Sequence, residues 1–286
     1  MTHLRKNTIT GGINFKGLHR MALNAAIVAN DIGAVRTALA SPDVVAHIND
    51  PVELDGTTPL IKAAEKGSLD IVQELMKVRG IDVNAAMIQD TTPLMQASYY
   101  GHLEVVQALL AAAEINVNAA TKQGQTALMG ASFGGHPDVV RVLLAKTGID
   151  VNAAHNGGYT ALHFAAEMGH LDVVRVLLTA PGININAADN EGYTPLYLAA
   201  VNGHREIVRA LLADPRLDLT VRDGTPLYKD ILTEYRDLYR EVRKNAAYNR
   251  RAPAIAAWNC SRRRRPVPAT AGGGRKTRRH RISRKR

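Results

Sequence analysis

One triplet constrains this chain more than any other feature. Thr58-Pro59-Leu60, Thr92-Pro93-Leu94, Thr126-Ala127-Leu128, Thr160-Ala161-Leu162 and Thr194-Pro195-Leu196 recur every 34 residues. A sixth, Thr225-Pro226-Leu227, follows after 31. Other positions keep the same register: Gly67, Gly101, Gly135, Gly169 and Gly203 each lie nine residues after the threonine. Asn84, Asn118, Asn152 and Asn186 each precede Ala-Ala. A fixed period of this length is the mark of a stacked repeat, in which no unit can bury its apolar face alone.

The unit beginning at Thr194 shows how each is built. Gly192-Tyr193 makes a turn, and Thr194 is placed to cap a helix that starts at Pro195. Proline suits that position because its missing N–H has no helical partner. Leu196, Ala199 and Ala200 form a narrow apolar stripe, and Gly203 ends the helix in the manner of a left-handed C-terminal glycine. A second helix follows with Ile207, Val208, Leu211 and Leu212 turned inward. With aromatics at 5% and hydrophobic residues at 46%, the core must be made of Ala, Leu, Val and Ile.

These segments resemble the ankyrin repeat family. TALHFAAEMGH (160–170), TPLYLAAVNGH (194–204) and VNAA (151–154) match its signatures, and the resemblance runs over residues 21–245. It implies an all-α solenoid of helix-turn-helix units with β-turn fingers. Three features depart from the family pattern. The unit has 34 residues rather than 33, His163 alone fills the family's histidine position, and Asp90 replaces the turn glycine, so that turn is expected to be irregular. The expected division is an N-terminal arm (1–20), a degenerate capping repeat (21–50), five repeats (51–219), a C-terminal capping helix or repeat (220–245) and a disordered basic tail (246–286). In the last capping segment Leu227, Ile231, Tyr235, Leu238 and Val242 trace one face.

Charge separates body from tail. Residues 240–286 hold 17 Lys/Arg and one acid, Glu241, a net +16, whereas residues 1–239 carry −6. The tail is rich in Pro, Gly and Arg and poor in apolar residues, a composition that cannot fund a core. Ten residues separate Arg250-Arg251 from Arg262, Arg263, Arg264 and Arg265, a spacing similar to a bipartite nuclear-import signal. The arginines would bind nucleic acid through its backbone, since no Phe, Trp or Tyr interleaves the basic run from Arg262 onward.

Catalytic signals are weak. GASFG (130–134) fits a G-x-S-x-G serine-hydrolase pattern. That motif needs a strand before the serine, and Ser132 instead aligns with Ala166 and Ala200 in a packing helix. His102, His136, His170 and His204 recur at the repeat spacing, but stacked helices stand about 10 Å apart, too far to share one ion. No cofactor, metal site or enzymatic activity is expected. Cys260 is the single cysteine, which excludes an intrachain disulfide. The first residues, MTHLRKNTITGGINF, lack the apolar run of a secretory signal, and no segment is apolar enough to span a membrane. An intracellular protein, nuclear or cytoplasmic, is expected, and a monomer.

The resemblance implies capture of a protein partner through the turn tips and the concave surface. Candidate contacts are Tyr99, Tyr100, Phe133 and Met168 after the Ala-Ala or Ala-Ser pair, with Tyr159 and Tyr193 in the turns. For Tyr159 and Tyr193, packing across adjacent turns is an equal expectation. The asparagine of each VNAA is expected to hold the turn to the next unit. The resemblance also implies hydroxylation by an asparaginyl hydroxylase, for which Asn152 and Asn186, with Leu144 and Leu178 eight residues upstream, are the candidates. Multi-repeat chains with an arginine-rich end resemble ankyrin proteins of large eukaryotic DNA viruses, and those exported by intracellular bacteria. Two rival functions are a nucleic-acid-associated protein acting through its tail and a substrate adaptor of a ubiquitin ligase. The adaptor is disfavoured because no F-box-like helix pair follows residue 245.

Overall fold

The computed structural model describes residues 15–218 and Tyr235. The expected C-terminal capping segment (apart from Tyr235), the tail with Arg250, Arg251 and Arg262 to Arg265, and most of the N-terminal arm lie outside the described residues. Within them the chain forms thirteen α-helices and no strand.

Five repeats carry a first and a second helix each. The first helices are α4 (Pro59–Lys66), α6 (Pro93–Tyr100), α8 (Ala127–Gly134), α10 (Ala161–Met168) and α12 (Pro195–Val201). The second helices are α5 (Leu69–Met76), α7 (Leu103–Leu110), α9 (Pro137–Leu144), α11 (Leu171–Leu178) and α13 (Arg205–Ala213). First helices pack on first helices and second on second, so the array has two layers. The threonines cap as expected: the hydroxyl oxygens of Thr58, Thr92, Thr126 and Thr194 accept the N–H three residues on, at 3.3–3.4 Å. Gly67, Gly101, Gly135 and Gly169 end their helices with φ between 69° and 82°, a left-handed conformation that a side chain strains.

The core is a continuous column. Leu60, Leu94, Leu128, Leu162 and Leu196 are each at most 1% exposed, and the small Ala-Ala or Ala-Ser pairs that follow them let neighbouring helices approach. Val72, Val106, Val140, Val174 and Val208 form the matching column of the second layer. Polar staples tie the units together. Asn84, Asn118, Asn152 and Asn186 each donate from Nδ2 to a carbonyl of the next unit, at 2.7–2.8 Å. Each also accepts at Oδ1 the backbone N–H two residues after that carbonyl, at 2.7–2.8 Å. Asn49 makes the same pair of bonds to Gly80 and Asp82, and so extends the ladder to the start of the array.

The beginning of the array differs from a simple capping pair. Helix α1 (Phe15–Val28) starts inside the stretch expected to be an arm. It packs on α2 (Ile32–Leu39), on the short α3 (Pro42–Ala46) and on α4, with Leu23 and Ile27 fully buried. Asn30 takes the left-handed conformation (φ 54°) that glycine holds elsewhere, and Asp31 caps α2 through Ala34 N–H at 2.9 Å. At the other end Tyr235 is buried, with its hydroxyl 3.5 Å from the Ala200 carbonyl oxygen.

Candidate functional site: an aromatic hollow on the first-helix face

The turn fingers stand in a row beside the first helices. Each is closed by a backbone bond, as from His155 N–H to Tyr159 O at 2.9 Å, and joined to its neighbour by another, as from Asn156 N–H to Gln123 O at 2.8 Å. The turn at Asp90 is regular, against expectation. Asp90 adopts φ 63°, close to the φ 80–88° of Gly56, Gly124, Gly158 and Gly192, and Met87 N–H still reaches Thr91 O at 3.1 Å. Aspartate tolerates this region better than most side chains, so the turn keeps its shape at some cost in strain.

The recurring histidines are structural staples. Each Nε2–H donates to the backbone carbonyl 37 residues earlier: His102 to Glu65, His136 to Tyr99, His170 to Phe133 and His204 to Glu167, at 2.9–3.0 Å. The imidazole lies over the preceding unit's terminal glycine, where a Cβ on Gly67 would meet the His102 ring at 2.4 Å. Glycine is thus required there twice, for its φ and for the ring above it. Among the described residues no group of three His, Cys, Asp or Glu side chains could hold a metal ion.

His163 is used differently. It is fully buried, with Nδ1 accepting Thr160 N–H at 3.1 Å and the ring's other nitrogen donating to Tyr193 O at 3.1 Å. One side chain therefore caps its own helix and holds the next finger. Burial pushes its pKa below the ordinary value, and the Tyr193 carbonyl and Asp189 only partly oppose this. The folded protein thus binds a proton less readily than the unfolded chain. Its contribution to stability is complete above about pH 6.5, the unfolded value, and is lost as pH falls below it. Urea denaturation should show stability falling by up to about 1.4 kcal/mol per pH unit from this one proton. His163→Gln, which keeps the capping geometry without the titration, should have a shallower pH slope. Equal slopes for both proteins would contradict the assignment.

Ser132 is fully buried in α8 and donates to Leu128 O at 2.7 Å, the bond of a core helix hydroxyl rather than of a nucleophile.

The aromatic side chains converge. Tyr99, Tyr100 and Phe133 are exposed at 44%, 49% and 37%. Tyr99 meets Tyr100 edge to face at 5.1 Å and stacks on Phe133 at 5.9 Å. Phe133 meets Phe164 at 6.0 Å, and Phe164 in turn meets Tyr159 at 5.3 Å. Tyr99, Tyr100, Phe133 and Phe164 edge a hollow of about 340 Å³ bounded also by Thr91, Met95, Gln96, Thr121, Gln125, Met129 and Gly130. Two glycines of α8 set its geometry. A Cβ on Gly134 would come within 2.6 Å of Tyr99 O, so only glycine lets α8 press this closely on α6. At Gly130 a Cβ would make ordinary contact with Tyr99 at 3.6 Å, and its absence leaves the floor of the hollow open.

The other candidates lie apart from the hollow or are shared with the packing. Tyr159 is half-buried between His155, His163 and Phe164, and burial, with Glu167, Asp189 and Glu191 nearby, raises the pKa of its hydroxyl. Tyr193 stacks on Tyr197 at 4.5 Å, nearly parallel. Met168 is exposed at the end of α10. Asn152 and Asn186 have both amide atoms engaged in the staples between units. Sequence reasoning missed Phe164. Its position is filled by Lys62, Gln96, Gly130 and Leu198 in the other repeats, and the one available signal was an aromatic in a place that is otherwise polar, small or aliphatic.

No helix among the described residues is long and apolar enough to cross a membrane. No curated protein matches the chain. The family model described as ankyrin repeats (3 copies) matches over residues 18–120, 94–189 and 153–223. Those matches cover most of the sequence in the register that the threonine caps, glycine stops and asparagine staples establish, and the chain belongs to the ankyrin repeat family.

Proposed function

We propose that this chain is a non-catalytic scaffold that captures a protein partner on its first-helix face, centred on Tyr99, Tyr100 and Phe133. Ankyrin repeats are in general protein-binding modules. The observation that supports this particular surface is three large rings left more than a third exposed beside an open hollow, although the array's own core is complete without them. Such rings anchor interfaces because they offer large, rigid contact area at small entropic cost. A photo-crosslinking amino acid in place of Tyr100 should trap the partner in cells. The same group in place of Arg141, exposed on α9 in the second-helix layer, should not. Trapping from Arg141 alone would move the interface to the other layer.

The tail, with net +16 over residues 240–286, supports a second role in location: nuclear import, or adhesion to a polyanion such as nucleic acid. A fluorescent fusion of residues 246–286 should accumulate in a eukaryotic nucleus, and Arg250→Ala with Arg251→Ala should remove much of that import. Cytoplasmic fluorescence of the unmutated fusion would leave polyanion binding as the reading.

A further inference from the structure

We propose that the aromatic hollow receives the guanidinium of an arginine carried by a basic segment of the partner. This rests on the reading of the first-helix face as the interface and adds what that face selects.

Two independent observations point to a cation. The hollow offers the rings of Tyr99, Phe133 and Phe164, and no charged side chain lines it. Its polar neighbours, Thr91, Gln96 and Gln125, carry oxygens able to accept N–H bonds. An aromatic face attracts a cation through its quadrupole, most effectively where water is excluded. Guanidinium is planar and weakly hydrated, so it stacks on such a ring at a lower desolvation cost than ammonium.

The surroundings carry the opposite charge. The five first helices and the five turn fingers (50–57, 85–92, 119–126, 153–160 and 187–194) hold eight carboxylates against three lysines, a net −5. Of those lysines, Lys62 is bridged to Glu53 at 3.1 Å and Glu65 at 3.3 Å. Glu167, Asp189 and Glu191 act together on the Tyr159 hydroxyl, and Tyr159 touches Phe164. Lys66, exposed at the end of α4, and Lys122, in the finger that contributes Thr121 and Gln125, are the basic groups that oppose this field. An acidic segment would be repelled from such a face, and a neutral apolar anchor would gain nothing from its charge. A basic segment is steered to it, and an arginine can leave the carboxylate field to stack in the neutral hollow.

The chain has three phenylalanines, Phe15, Phe133 and Phe164, which makes a direct test available. The full chain is labelled with 4-fluorophenylalanine and titrated with the peptide acetyl-Gly-Arg-Gly-amide, followed by fluorine NMR. Phe133→Leu and Phe164→Leu assign two of the resonances. The same titration with citrulline in place of arginine removes the charge and keeps the shape. The resonances of Phe133 and Phe164 should move saturably with the arginine peptide. They should move at least fivefold less with citrulline, while Phe15 stays still. Tyr99→Leu should reduce the shift by a similar factor. A parallel series uses the chain with Arg262 to Arg265 changed to Gln, so that competition from the protein's own arginines is visible. A response only in that variant supports the same chemistry, with the tail as a competing occupant. Equal shifts with citrulline, or no shift in either protein, would overturn the proposal. Neither result would touch the interface itself, which the crosslink from Tyr100 tests separately.

Discussion

Leu162→Ala is expected to lower the free energy of unfolding by about 2–5 kcal/mol. The side chain is fully buried in the middle of α10, which packs on α8, α11 and α12, so the space it leaves has no easy route to collapse. Domains are held by only about 5–15 kcal/mol, so one such change consumes a large share. In a stacked array the loss also falls on two inter-repeat interfaces at once. Urea denaturation of the full chain measures it. Leu54→Ala serves as the control, because Leu54 is wholly exposed and its truncation should stay within about 0.5 kcal/mol. A change at Leu162 as small as that at Leu54 would mean that the leucine column is not the core.

Much of the fold was legible because it is written five times. Threonine, proline and glycine each have one strong backbone preference, and a fixed period turns those local preferences into a register. The cap at Thr126, the left-handed Gly135 and the buried Leu128 all follow from that register. What lay between repeats was harder to read. The period shows that His136 recurs, but its bond to Tyr99 O depends on how two units are offset, which no single unit specifies. The asparagine staples were anticipated as a role, without their partners. The irregular turn expected at Asp90 did not follow, because neighbouring fingers hold it: Ile88 N–H bonds to Asp55 O at 2.9 Å and Lys122 N–H to Gln89 O at 3.2 Å. Helix α1 began earlier than the repeat pattern suggested, since a capping helix need not obey the period.

The candidate site shows the same division. Tyr99, Tyr100 and Phe133 stood out in sequence as large rings where the repeat places solvent-facing positions. That they share one hollow with Phe164, and that Gly134 permits α8 to press on α6, are facts of packing between units. Tyr99 touches both Tyr100 and Phe133, and an interface and a decoration of the solenoid predict different results when the three rings are removed together.

Their joint removal makes that distinction. In the full chain carrying Tyr99→Ala, Tyr100→Ala and Phe133→Ala, affinity for the partner trapped from position 100 should fall at least about a hundredfold, since each buried anchor ring contributes about 2 kcal/mol or more. Helical circular dichroism should be unchanged, because the leucine and valine columns remain intact. Binding and dichroism measured on the same preparation give the most direct test of the interface. Lost binding with full helicity is the predicted result. A triple variant that unfolds, or one that is folded and binds its partner as tightly as the parent, would contradict it.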